Sequence, residues 1–236
     1  MKNYQSSQYQ LLTVEDVQKD ESEIINVLSA IMADELSNDL VLLNYYKEMP
    51  ISFGATIERI ERGVVDMMVH QLQAVAMLME IATFIKSNHL PHCVVAKVLK
   101  VKKREGLAFL NQFAYVHIPS EERMYVRVKV MGKVQTVFCI DNQEVNGTVG
   151  DISCGGVAIL ASQANDIKEN AKGTVTLSLP TAKLNIPGTF LRADEQQDLK
   201  KYVIKLDTDA KSEQILSQFV FQEQSGILKE MKKMCI

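Results

Sequence analysis

The sequence predicts a mainly β protein with flanking helices, arranged as two domains. Short runs of β-branched and aromatic residues, separated by Gly, Pro, Asn and Asp, recur through both halves of the chain. A length of 236 residues suits either one large domain or two small ones. The segment Ile118-Pro119-Ser120 falls between the two sets of strand patterns. We therefore place one domain at residues 1–118 and the other at residues 119–236.

Two hairpins are predicted in the N-terminal half. Strand patterns at 53–60 and 64–69 flank the turn Glu61-Arg62-Gly63. Those at 93–101 and 106–110 flank a turn of charged residues.

A helix is predicted ahead of these hairpins. Residues 22–36 carry apolar side chains at helical spacing, which predicts an amphipathic helix packed on the β domain. A helix that binds a partner or dimerises is the alternative. Residues 73–80 are ambiguous between helix and strand. About the first dozen residues, rich in Gln, Ser and Tyr, are expected to form a mobile tail.

The C-terminal half is predicted to form further strands followed by a helix. Strand patterns occupy 134–140, 173–179, 184–191 and 202–206. Apolar residues then recur at helical spacing, and Ser212 is the predicted cap of this helix.

The first of two notable motifs is Arg123-Met-Tyr-Val-Arg127, an R-x-x-x-R pattern. Its composition predicts a half-buried strand, with Arg123 still in a loop. The predicted polar face carries Tyr125, Arg127 and Lys129, and the predicted core face carries Val126, Val128 and Val130. A guanidinium fork binds a phosphate or the O6 and N7 edge of guanine. The plainer interpretation is a pair of solvated surface arginines.

The second motif is Asp151-Ile-Ser153-Cys-Gly-Gly156, a D-x-S-x-x-G pattern. Asp151 and Ser153 have short oxygen-bearing side chains that bind backbone groups in turns. Gly155 and Gly156 permit positive φ and the close approach of a ligand to the backbone. Alone, this motif is compatible with an ordinary turn.

In this order and separation, the two motifs resemble the ligand signature of PilZ domains, the bacterial receptors for cyclic di-GMP. The resemblance covers residues 119–236 and implies a six-stranded antiparallel barrel with a C-terminal helix. It also implies that the ligand contacts Arg123, Arg127, Asp151, Ser153, Gly155 and Gly156. The arginines would bind guanine and phosphate, Asp151 and Ser153 a guanine edge, and Gly156 would let the base approach. Without ligand, the polar side chains of the site are expected to face solvent.

The arrangement of the N-terminal half is similar to the YcgR-type barrel that precedes PilZ in flagellar brake proteins. The resemblance therefore implies two β-barrel domains in tandem. Two positions depart from the family pattern. Glu122 stands where many members have an additional arginine, and the segment from Tyr202 to Lys205 lacks a glycine that many members carry. An acid beside the expected phosphates argues for one bound nucleotide per chain.

Composition excludes several other classes of function. A net charge of −3 gives no reason to expect broad nucleic-acid binding. No apolar run is long enough to insert into a membrane and no signal peptide is evident, so a cytoplasmic protein is expected. The four cysteines lack C-x-x-C spacing and are expected to be reduced and mostly buried. His89 and His92 flank a turn without a third metal ligand.

No catalytic motif is found, so we expect neither an enzyme nor a cofactor. The resemblance implies an effector that binds cyclic di-GMP, changes its interdomain arrangement and regulates motility, biofilm or envelope targets. Its partner would be a protein such as a flagellar motor or envelope component. The alternative is a degenerate PilZ scaffold that binds a protein partner without nucleotide.

Overall fold

The computed structural model describes residues 9–141, 143–162, 166–196 and 198–235. They fall into two compact units. The first contains the chain up to Tyr46, Pro50–Arg123 and the residues from Lys229 onward. The second contains Lys47–Met49 and Met124–Leu228. Each unit is built on a closed barrel of six antiparallel strands, in agreement with the predicted fold class.

The first unit combines one barrel with two helices. Its elements in chain order are β1 (Gln10–Leu11), α1 (Val17–Met32), β2 (Val41–Tyr46), β3 (Met49–Glu61), β4 (Val64–Val69), α2 (Gln71–Glu80), β5 (Ala82–Lys86), β6 (Cys93–Lys102) and β7 (Leu107–His117). The barrel runs β7-β4-β3-β2-β5-β6 and closes through the pairing of β6 with β7. Strand β1 pairs with β7, so Gln10 and Leu11 belong to the sheet and not to a tail. Residues 1–8 of the predicted tail lie outside the described residues.

The two helices of this unit differ in how well the sequence predicts them. Helix α1 starts where the Asp16 carboxylate accepts hydrogen bonds from the N–H groups of Gln18 and Lys19. Its apolar side buries Ile24 and Leu28 completely in the core, which confirms the predicted packing. The ambiguous segment at 73–80 is helical, as part of α2. Five consecutive residues, Gln73 to Met77, are buried. Because the helix is buried on more than one side, its sequence lacks the amphipathic pattern that would have predicted it.

The second unit contains the remaining strands and the long C-terminal helix. Its elements are β8 (Val128–Lys129), β9 (Gln135–Ile140), β10 (Gln143–Ser153), β11 (Gly156–Ala161), β12 (Lys172–Ser178), β13 (Lys183–Gln196), β14 (Leu199–Leu206) and α3 (Ala210–Met234), whose residues from Lys229 belong to the first unit. The barrel runs β11-β14-β13-β12-β9-β10 and closes through the pairing of β10 with β11, while β8 adds to β10.

The close approach of neighbouring strands explains why two positions of this barrel are glycine. A Cβ at Gly147 would collide with the backbone carbonyl of Leu160, and one at Gly173 would collide with that of Cys139. The completely buried side chains of Phe138 and Ile152 belong to this unit's core. The barrel is therefore closed by backbone contacts that leave no room for a side chain at these two positions.

Three details of the sequence analysis need correction or restriction. Helix α3 begins at Ala210, and its first turn is capped by Asp209, whose Oδ1 accepts from the N–H of Ser212 at 2.7 Å. Ser212 is therefore not the cap. Among the four free cysteines only Cys154 is buried, and the other three are half-buried. Within the described ranges, no helix has the length and apolarity needed to cross a membrane, and no three His, Cys, Asp or Glu side chains are grouped as metal ligands.

Candidate functional site

The D-x-S part of the second motif lies in a strand and not in a turn. Asp151 and Ser153 end β10, and Cys154 with Gly155 forms the tight connection to β11. The ladder between these strands shifts register between Val149 and Asp151, as in a β-bulge. Bulges redirect side chains, so this irregularity helps to set the direction of the Asp151 carboxylate.

The first motif reaches the second through the short strand β8. Val128 pairs with Ile152, and Lys129 pairs with Asp151. The N–H of Val130 then donates to the carbonyl of Gly150 at 3.0 Å. These main-chain contacts place Arg127 next to Asp151.

The predicted strand through the arginine motif is largely wrong. Only Val128 and Lys129 are extended as a strand, and Val126 is 44% exposed instead of facing the core. Val128 and Val130 are buried as predicted. A two-residue ladder cannot impose strand alternation on the residues before it, which explains why Val126 departs from the pattern.

The centre of the site is the buried carboxylate of Asp151, whose side chain is 8% exposed. Arg127 Nε lies 3.4 Å from Oδ1, and Lys201 Nζ lies 2.6 Å from Oδ2. Both cationic side chains are mostly buried as well, with 23% and 22% exposed. The expectation that the polar side chains face solvent is therefore wrong for Arg127 and Asp151, because a carboxylate at this depth requires charged partners.

Tyr125 covers the glycine turn. A Cβ at Gly155 would lie 2.8 Å from Cδ2 of the Tyr125 ring, so the glycine is required for the ring to pack there. The Tyr125 hydroxyl donates to Oε1 of Glu213 on α3 at 3.2 Å. This hydrogen bond to a carboxylate raises the pKa of Tyr125 above its usual value.

Neither glycine of the second motif adopts the positive φ that a glycine permits. Their role here is steric. A Cβ at Gly156 would approach the backbone carbonyl of Ile204 at 3.2 Å. The Ser153 hydroxyl donates to the Gly156 carbonyl at 3.4 Å, a long contact that leaves this hydroxyl weakly held.

Arg123 and Glu122 belong to the first unit. A 3-10 turn at Pro119–Glu122 ends at Arg123, whose side chain is exposed. The Glu122 carboxylate lies 3.4 Å from Nε2 of His117. The neighbouring Glu121 makes a short ion pair with Lys86. The two arginines of the motif are thus divided between the units.

The second unit therefore brings together five of the six predicted site residues, namely Arg127, Asp151, Ser153, Gly155 and Gly156. It adds Lys201, Tyr125 and Glu213, to which the sequence analysis gave no role in binding. Lys201 lies opposite Leu160 of β11 in the strand ladder, and its long side chain reaches Asp151 of β10. No sequence motif signals this contact, because it depends on the order of three strands in the barrel.

The chemistry of this group suits a flat, anionic, hydrogen-bonding ligand. An ionised carboxylate is an acceptor only, and it can accept from the adjacent N1 and N2 donors of guanine. A guanidinium and an ammonium beside it can bind phosphate oxygens. The small side chains at Ser153, Gly155 and Gly156 allow such a ligand to approach the strands closely.

The family comparison identifies this part of the chain. Residues 121–222 match the model of the PilZ domain. The match covers both the β8–β10 pairing and the Asp151 cluster. No curated protein sequence matches the chain.

Several solved structures resemble the chain at low sequence identity. The inhibitor of motility MotI/DgrA of Bacillus subtilis is 14% identical, with 79% of this chain and 95% of that one covered and a TM-score of 0.43. Escherichia coli YcgR in complex with c-di-GMP is 10% identical, with 93% and 99% covered and a TM-score of 0.46. MrkH of K. pneumonia, in its c-di-GMP complex, is 11% identical, with 90% and 96% covered and a TM-score of 0.46.

Proposed function

We propose that this protein is a cyclic di-GMP-binding effector without catalytic activity. The observation that carries the proposal is the Arg127–Asp151–Lys201 cluster within a PilZ domain. Holding two cations and a carboxylate together at low exposure is a costly arrangement. Binding of a ligand that needs both a hydrogen-bond acceptor and positive charge would account for this arrangement.

In the proposed complex, Asp151 accepts hydrogen bonds from a guanine edge, and Ser153 adds a contact. Arg127 binds a phosphate or the O6 and N7 edge of guanine through its planar fork. Arg123 joins from the segment that precedes the barrel. Gly155 and Gly156 let the base approach the strands, which requires the Tyr125 ring to turn away from Gly155.

The proposed consequence of binding is a change in the arrangement of the two domains, with the joint at residues 119–127. A nucleotide can shift such an equilibrium only by binding one arrangement more tightly than the other. Anchoring Arg123 and Arg127 on one ligand supplies that difference. The protein would act in the cytoplasm and control motility, biofilm or envelope targets by contact with a protein such as a flagellar motor component.

A second candidate function is a degenerate PilZ scaffold that binds a protein without nucleotide. Two observations favour it. Glu122 places a carboxylate next to Arg123, where it would repel phosphates. In addition, Arg127 and Lys201 already neutralise Asp151, so a ligand must compete with internal ion pairs.

Isothermal titration calorimetry of the full chain distinguishes these two functions. We expect cyclic di-GMP to bind, with GTP and GMP competing poorly. Arg127→Ala should weaken binding about ten- to a hundredfold, since a hydrogen bond to a charged group contributes roughly 1.5–3 kcal/mol. Arg123→Ala should weaken binding by a similar factor.

Arg192→Ala is the matched control for these variants. Arg192 lies in the same barrel and pairs with Asp194, but it is 59% exposed and is not part of the cluster. Its removal should leave the affinity unchanged. No heat and no thermal stabilisation by cyclic di-GMP would support the scaffold instead.

A further inference from the structure

Exposed aliphatic side chains gather where α2 of the first unit runs into β5. Leu78, Met79 and Ile81 stand at the end of this helix, and Leu99 stands on β6. Their exposed fractions are 50%, 58%, 56% and 48%, in that order. The N–H of Val98 donates to the Ile81 carbonyl at 2.8 Å, which holds Leu99 beside the helix end. These four side chains make up the aliphatic patch.

Ile81 has an unfavourable backbone conformation for its residue type. It ends α2 with φ 62° and ψ −2°, and its N–H donates to the carbonyl of Met77. Glycine is usual at this left-handed position, because a Cβ is disfavoured there and a β-branched side chain more so. More than half of the Ile81 side chain is exposed, so packing within the chain offsets little of the strain. The strained residue thus presents an aliphatic group to the outside.

Positive charge is concentrated on β6 and the turn after it, next to the aliphatic patch. Lys97 is the ladder partner of Ala82, the residue after Ile81. A 3-10 turn at Lys103–Glu105 follows β6 and neighbours α2. Residues 97–105 contain five cations and one acid, namely Lys97, Lys100, Lys102, Lys103, Arg104 and Glu105. The chain as a whole has a net charge of −3, so this positive charge is local.

Two of these cations are engaged within the chain. Lys102 pairs with Glu105 at 2.9 Å, and Lys103 donates to the carbonyl of Met234. Lys97, Lys100 and Arg104 are exposed. Glu80 is the one acid of the helix end itself. Positive charge therefore still exceeds negative charge beside the exposed aliphatic groups.

We propose that this surface docks the protein onto an anionic lipid bilayer, as a peripheral contact that does not span it. Aliphatic groups inserted among acyl chains, with lysines reaching the headgroups beside them, are the chemistry of interfacial membrane contacts. Anionic headgroups attract lysine and arginine near the surface.

The composition of the surface favours lipid over other occupants. Protein interfaces are depleted in lysine and enriched in aromatic residues and arginine. This surface has two exposed lysines, Lys97 and Lys100, and one exposed arginine, Arg104. None of its four exposed apolar side chains is aromatic. A second copy of the chain would bring like charges together. Nucleic acid would satisfy the cations and leave the aliphatic patch without a partner.

Co-sedimentation of the full chain with vesicles tests the proposal. One set of vesicles is phosphatidylcholine alone, and the other contains equal parts of phosphatidylcholine and phosphatidylglycerol. We expect sedimentation with the anionic vesicles only, and we expect added salt to weaken it because exposed charges are screened. Equal binding to both vesicle types, or no binding to either, would overturn the proposal.

Ile81→Gly is the decisive variant. It removes an exposed aliphatic group and relieves the left-handed strain, so it should raise thermal stability while lowering vesicle partitioning about tenfold. Val17→Ala, which trims an aliphatic side chain that is 69% exposed on α1, should leave partitioning unchanged. A folded Ile81→Gly protein that partitions like the wild type would refute a role for the patch.

Reversing Lys97 and Lys100 together to glutamate should abolish the preference for anionic vesicles. Lys183→Glu in the other unit is the matched charge control. Two further results would assign the surface to another occupant and overturn the proposal. One is a dimer in solution that Ile81→Gly dissociates. The other is binding of duplex DNA or of an acidic polypeptide without vesicle binding.

Discussion

Arg127 and Asp151 lie 24 positions apart in the sequence, yet Nε of the arginine is 3.4 Å from Oδ1 of the aspartate. The pairing of β8 with β10 brings them together, and Lys201 closes the other side of the carboxylate at 2.6 Å. The side chains proposed to bind the ligand are therefore also part of the folded structure of the second unit. Their variants must be tested for stability as well as for binding.

Asp151→Ala should destabilise the protein more than Ser153→Ala does. The aspartate variant leaves Arg127 and Lys201 mostly buried without their shared counterion, which should lower the free energy of unfolding by about 1.5–3 kcal/mol. Ser153 makes only the long contact to the Gly156 carbonyl. Urea denaturation of both variants without ligand measures the difference. Equal stabilities would mean that the ion pairs contribute nothing in solution.

Gly155→Ala should lower stability through a clash with Tyr125. The added Cβ would lie 2.8 Å from the ring, and overpacking of this kind costs about 1 kcal/mol when a side chain can turn aside. In a Tyr125→Ala background the same substitution should cost almost nothing, because the ring is absent. A double-mutant cycle by thermal denaturation measures this coupling. Additive effects would contradict the packing of Tyr125 on Gly155.

Glu122→Arg should tighten cyclic di-GMP binding and allow two nucleotides per chain, whereas the wild type should bind one. A carboxylate repels a phosphate by about 1 kcal/mol at 4 Å in water. Calorimetric stoichiometry is the measurement, and Glu122→Gln separates the loss of repulsion from the gain of a cation. Two nucleotides on the wild-type chain would overturn the charge argument.

Ile81→Gly should raise the free energy of unfolding by up to about 1 kcal/mol. Left-handed backbone is costly for a β-branched residue and is accessible to glycine, although glycine also gives the unfolded chain more freedom. Thermal denaturation of the two proteins tests this expectation. Ile81→Ala is the control, since it shortens the side chain and keeps the Cβ that causes the strain. Glycine and alanine variants of equal stability would show that the conformation carries little strain.

Cys93 should resist alkylation at neutral pH. Burial disfavours the thiolate and raises the pKa of this thiol to about 12, with the nearby Glu121 adding to the effect. A thiol with that pKa is ionised to only about one part in 10⁴ at pH 8, and the thiolate is the reactive form. The neutral thiol thus favours the folded state below pH 9, and this contribution is lost as pH rises toward 12.

Peptide-resolved iodoacetamide labelling of the native protein, with labelling in denaturant as the control, measures the reactivity of Cys93. Its labelling rate in the native protein should keep rising up to about pH 12. A rate that levels off near pH 9, as for an unperturbed thiol, would contradict the burial.

The sequence alone determined the secondary structure of most of the chain. The hairpins β3–β4 and β6–β7 and the helix α1 follow from local periodicity and turn residues, which act over a few positions. The two-part motif also predicted the PilZ domain, whose family model matches residues 121–222. These features depend on short stretches of chain, so they can be recognised without knowing the fold.

Only the tertiary structure decided how the motif residues are used. Asp151 is buried because β8 and a side chain from β14 cover it, and Gly155 matters because Tyr125 packs on it. Strand alternation failed at Val126 because β8 is only two residues long. The physical reason is common to all three. Which groups meet across a closed barrel depends on strand order and register, and contacts between distant segments leave no local pattern in the sequence.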